Sequence, residues 1–138
     1  MINIRTFNSL NFGDGVNKIF WEYITQNKLF NNNKFVHYIT TGSIMCAINN
    51  KSIIFGTGFI DKNADLGGGK WKSYNNKKYQ TPYKIIAIRG PLSRQKMLDF
   101  NVKCPENYGD PLILMPCLNN NYKKINENII GIIPHYID

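Results

Sequence analysis

The side chains of this sequence best suited to chemistry fall where its apolar runs stop. Arg89 closes the run IIAIR and is followed by Gly90-Pro91-Leu92-Ser93, a succession with proline at the first position of a helix. That places a guanidinium at the carboxyl edge of a sheet beside a helix N-terminus, where its forked donors and backbone amides suit a carboxylate or a phosphate. The competing reading is an arginine that snorkels or pairs with a nearby acid. Asn11-Phe12-Gly13-Asp14-Gly15 forms a polar, glycine-bearing turn between the first strand and the first helix, a place where α/β proteins cradle ligands. The competing reading of Asp14, and the commoner one for an aspartate so placed, is a helix N-cap. Gly56-Thr57-Gly58 follows the run SIIF and permits close backbone approach of a ligand. It lacks the spacing of a dinucleotide fingerprint, which excludes a nicotinamide site. His135, between Pro134 and Tyr136 near the end of the last apolar run, is a candidate general acid or base; the alternative is a structural strand histidine. Gly109-Asp110-Pro111 reads as a structural motif of turn, cap and first helical residue.

Those positions need elements to hold them. The runs KFVHYITTG, SIIFG and YKIIAIRG, each closed by glycine, and the final IIGIIPHYI read as buried strands. The opening INIRTF alternates and reads as an edge or half-exposed strand. VNKIFWEYITQNKL carries Val16, Ile19, Phe20, Tyr23 and Ile24 at helical spacing, and PLSRQKMLDF is a second helix entered at Pro91. PLILMPCL is a third and shorter one, with Asp110 as its N-cap and Pro111 as its first residue. Strands alternating with helices predict an α/β fold with a parallel sheet and helices on both faces. Ligands of such sheets sit at the carboxyl ends of the strands. Residues 62–82, with Gly67-Gly68-Gly69, lack periodicity and read as a long surface loop. Residues 119–128 read as a linker, and 129–138 as one further strand.

Composition bounds the alternatives. A chain of 138 residues with 43% hydrophobic residues has the material for one packed domain, or for a piece of something larger. Its longest apolar runs fall far short of the roughly 20 residues of a membrane span. The first residues carry neither a basic start followed by an apolar run nor a transit-peptide pattern, so the expected location is cytoplasmic. Cys46, Cys104 and Cys117 are widely spaced in apolar surroundings and read as reduced core thiols. With His37 and His135 as the sole histidines and no Cys-x-x-Cys pair, no metal site is expected. The formal charge of +8 comes mostly from lysines scattered through Asn- and Ile-rich stretches. Only between Lys62 and Lys84 do lysines interleave with Trp71, Tyr74, Tyr79 and Tyr83, a pattern that can grip phosphates or stack on bases.

In order, NFGDGVNKIFWEYI, YITTGSIM, IIFGTGF, IAIRGPLSRQKML, CPENYGDPLILMP and IGIIPHYID resemble the amino-terminal half of polysaccharide pyruvyl transferases, over essentially the whole chain. The resemblance implies a Rossmann-like domain over 1–128, one half of a GT-B-like two-domain enzyme, with 129–138 leading into a second half. Such enzymes move a pyruvyl group from phosphoenolpyruvate to a pair of sugar hydroxyls in surface-polysaccharide synthesis, without a cofactor or a metal. The candidate binding residues are then Asn11, Gly13, Gly56, Gly58, Arg89 and Ser93, and the candidate catalytic residues His135 and Asp14. The implied partners are phosphoenolpyruvate and a glycan or sugar-lipid acceptor, with a second copy or the missing carboxyl-terminal half completing the cleft. The expectation is therefore a truncated transferase whose isolated 138 residues do not turn over substrate. The rival is a non-catalytic module binding anions or nucleic acid through the Lys62 to Lys84 loop; nucleic acid is not expected, since the charge is scattered.

Overall fold

The computed structural model describes residues 1–6, 12–60 and 80–118. Five short strands run parallel. β1 (Ile2–Asn3) pairs with β2 (Leu29–Phe30), and β3 (His37–Ile39), β4 (Ser52–Phe55) and β5 (Lys84–Ala87) form a three-stranded sheet in that order. A single parallel bridge, Ile4 to Tyr38, joins the two sheets, with Ile4 N donating to Phe30 O and Arg5 N to Tyr38 O. The resulting spatial order is β2-β1-β3-β4-β5. A bridge from Ile88 to Tyr108 extends it beyond β5. β1 is thus flanked on both sides, which corrects the reading of INIRTF as an edge strand. Its alternation reflects contact with different neighbours, since Asn3 turns its amide to Asn32 O and Val36 O.

Two helices cover opposite faces of the sheet. α2 (Pro91–Asp99) contributes Met97 to a buried cluster with Ile39, Ile54, Ile88, Val102 and Cys104. α1 (Phe12–Ile24) instead meets Phe55 and Thr40: the Trp21 ring lies 6.2 Å from that of Phe55, and Trp21 Nε1 donates to Thr40 Oγ1 at 3.0 Å. Successive strand residues point to opposite faces, so Ile54 and Phe55, like Ile39 and Thr40, separate the two helices.

Both helices end on a left-handed residue. Gln26 (φ 52°) lets Asn27 N reach Glu22 O at 2.7 Å and Gln26 N reach Tyr23 O at 3.1 Å. Asn101 (φ 57°) does the same for α2, with Val102 N on Met97 O and Asn101 N on Leu98 O. These paired bonds satisfy the last orphan carbonyls. They also stop α1 at Ile24, five residues before the helical pattern of the sequence ends, and release Leu29 into β2. The run Pro111–Leu118 is a 3-10 helix rather than an α-helix, with Pro116 inside it unable to donate a backbone hydrogen bond. Cys46 and Cys104 are buried, as expected of core thiols, whereas Cys117 is exposed on that 3-10 run. Among the described residues no helix is long and apolar enough to cross a membrane.

Candidate functional site at the carboxyl edge of the sheet

Because the strands are parallel, their exits share one edge. β3 leaves through Thr40-Thr41-Gly42-Ser43, β4 through Gly56-Thr57-Gly58, and β5 through Ile88-Arg89-Gly90 into α2. The three exits are bonded to one another. Arg89 Nη1 donates to Ser43 Oγ at 3.0 Å, and Nη2 donates to Gly42 O. Arg89 N donates to Thr57 O at 3.1 Å, and Gly58 N to Gly42 O at 3.2 Å. Arg89 Nε is buried and has no hydrogen-bond partner among the described residues. Burial pushes the guanidinium below its ordinary pKa, and the nearby Asp110 carboxylate opposes that shift.

A fourth segment closes the edge. Asp110 Oδ1 accepts from Leu112 N and from Thr41 Oγ1, both at 3.0 Å. It therefore caps the 3-10 run, as its position in the sequence predicts, and also ties that run to the exit of β3. At Gly56 (φ 98°) a Cβ would stand 2.4 Å from Pro111 Cδ and 2.8 Å from Gly109 O. At Gly58 it would stand 2.8 Å from Ser93 Oγ and 3.2 Å from Arg89 Nε. The close approach these glycines permit is thus made by the protein's own Pro111 and Arg89. Ser93 Oγ accepts from Phe59 N at 3.2 Å, fixing the first turn of α2 to the chain beyond β4.

Asp14 lies in the first turn of α1 rather than at its N-cap, because the helix begins two residues earlier, at Phe12. Its Oδ1 is 3.7 Å from the point a Cβ on Gly42 would occupy, which brings the first helix to the same edge. Gly13 precedes it in that turn. Asn11 and His135 lie outside the described residues, as do most of the 62–82 loop, the 119–128 linker and the 129–138 strand. Of the basic segment only Lys84 is described as lysine; it is exposed at the amino end of β5, away from Arg89.

Compared with known families, curated proteins and solved structures, the chain has no match. Among the described residues no group of three His, Cys, Asp or Glu side chains could hold a metal.

Four members of the cluster have no place among the candidates read from sequence: Thr41, Gly42, Ser43 and Thr57. A signal for them exists. YITTGS ends β3 with hydroxyls and glycine much as IIFGTG ends β4, and in a parallel sheet two such exits are neighbours. Arg5 is a second half-buried arginine, following β1. Its Nη1 donates to Ala47 O in the 3-10 turn Met45–Ala47, and burial lowers its pKa while Cys46 opposes that shift.

Proposed function

We propose that the chain is a polysaccharide pyruvyl transferase-like protein: a Rossmann-like amino-terminal half of a GT-B-like enzyme that takes phosphoenolpyruvate as pyruvyl donor and a glycan or sugar-lipid as acceptor. The reading is supported first by its motifs and, in the geometry, by one observation. The motif residues Gly56, Gly58, Arg89, Ser93 and Asp110, together with Asp14, converge from separate segments on one carboxyl edge of a parallel sheet.

The chemistry sets what that edge must do. One sugar hydroxyl adds to C2 of the donor as its methylene carbon takes a proton and becomes methyl; the second hydroxyl then displaces phosphate and closes the ketal. The donor's negative charge calls for a fixed cation, and the hydroxyls for a base. Arg89 supplies the cation, spending one donor each on Gly42 and Ser43 and keeping others for the ligand. Asp14 is the base candidate among the described residues, and His135 is the second catalytic candidate, a general acid or base.

Calorimetric titration with phosphoenolpyruvate tests the reading. Arg89→Ala is expected to weaken binding by on the order of 1.5 to 3 kcal/mol, the value of a charge-assisted pair, with the fold unchanged. Equal affinity in the variant, or no binding by the unsubstituted chain, overturns it.

A further inference from the structure

Arg89 does not stand by itself; it leans on an acceptor that another residue fixes. Thr57 is fully buried, and both capacities of its hydroxyl are used inside the protein. Oγ1 donates to Gly42 O at 2.7 Å and accepts from Ile44 N at 3.3 Å. The Gly42 carbonyl thus receives Thr57 Oγ1, Gly58 N and Arg89 Nη2 together, more donors than the two lone pairs of a carbonyl oxygen. Such crowding holds only where the carbonyl is aimed with little freedom. The left-handed backbone of Gly42 (φ 95°) and the stiff side-chain rotamer of a β-branched threonine both supply that aim. Thr57 O accepts from Arg89 N as well, so the same residue holds Arg89 by its backbone and, through Gly42, by its side chain.

We infer that Thr57 is the positioning residue of this edge: its hydroxyl fixes the Gly42 carbonyl, the carbonyl fixes the Arg89 guanidinium, and the donors left on Arg89 are thereby aimed at the ligand. Thr57 cannot itself touch a ligand, because none of its surface is open. Any effect of its hydroxyl on binding must pass through the atoms it holds. The consequence for phosphoenolpyruvate rests on the function proposed above; the consequence for Arg89 does not.

Two readouts separate these claims. The first needs no ligand: hydrogen exchange at Arg89 Nε, followed by nitrogen-15 NMR. In the unsubstituted protein this buried N–H should exchange far more slowly than that of a solvent arginine. Thr57→Val, which keeps the shape and removes the hydroxyl, should speed it about tenfold, while Thr57→Ser keeps it within about twofold of the original and the β4 amides stay protected. Fast Nε exchange in the unsubstituted protein contradicts the lock even if Thr57→Val fails to fold, as does unchanged exchange in a folded Thr57→Val.

The second readout is titration with phosphoenolpyruvate. Thr57→Val should lose about tenfold in affinity, Thr57→Ser should restore it, and Thr57→Val combined with Arg89→Ala should bind no more weakly than Arg89→Ala alone, since the two act by one route. Losses that multiply, or a Thr57→Val variant with full affinity, overturn the positioning role. Absence of binding by the unsubstituted chain removes the proposed function, and the exchange measurement then decides the role of Thr57 independently.

Discussion

At the scale of single residues, the fork of Arg89 matters as much as its charge. Nη1 and Nη2 reach different partners, Ser43 Oγ and Gly42 O, which a single ammonium on a flexible stem cannot reproduce. Arg89→Lys should therefore recover only part of the phosphoenolpyruvate affinity lost in Arg89→Ala; full recovery in titration would mean that charge alone is used. His37 makes the converse point, a titratable group held neutral. Its Nδ1 donates to Phe35 O at 2.8 Å, its Nε2 accepts from Ser52 Oγ at 2.9 Å, and it is almost wholly buried. Burial lowers its pKa, the Phe35 carbonyl opposes this, and Arg5 and Lys51 add to the lowering. Above the unfolded value, near about 6.5, both states are neutral and stability is level with respect to this group. As the pH falls below that value the unfolded chain takes up a proton that the folded one refuses, so stability declines until the lower folded value is reached. The slope should not exceed about 1.4 kcal/mol per pH unit. Urea unfolding between neutral pH and pH 5 should show this decline, and His37→Gln should flatten it; an equal slope in the variant would assign the decline to other groups.

At the scale of elements, the helix ends carry a testable strain. Gln26 and Asn101 both adopt φ near that of a left-handed helix, a region costly to residues with a Cβ and less so to asparagine. Gln26→Gly should stabilise the protein by about 0.5 to 1 kcal/mol, and Asn101→Gly by less, because relief of strain outweighs the added freedom of the unfolded chain. Thermal melts check the order; a lower midpoint for Gln26→Gly would contradict the capping account. The same ends show what the sequence conveys and what it hides. SIIF is a strand with its boundaries intact, since its apolar run stops at a glycine that β4 needs at φ 98°. α2 starts at Pro91 for a purely local reason. The end of α1 is not visible in periodicity, because neither glycine nor proline marks it, whereas Pro116 marks Pro111–Leu118 as a poor α-helix and the contacts of that run with α1 help to set its path.

At the scale of the molecule, the order β2-β1-β3-β4-β5 puts the exits of β1 and β3 side by side where the order of strands reverses, the place where parallel sheets bind ligands. Asp14 beside Gly42 sits at that junction. Arg89 and Gly56 stand out in the sequence because one closes an apolar run and the other directly follows one, and Gly58 because it completes the turn after SIIF. The Gly42 and Thr57 pair leaves only the weaker trace of two similar strand exits, because its meaning arises when segments 15 residues apart in sequence are laid together by strand pairing. That convergence is the central claim, and mapping the amides that respond to phosphoenolpyruvate by nitrogen-15 NMR tests it most directly. Shifts concentrated at Gly42, Ser43, Gly58, Arg89 and Ser93 are the predicted result; shifts confined to the amino ends of the strands, around Val36 and Lys84, or no shifts at all, would contradict it.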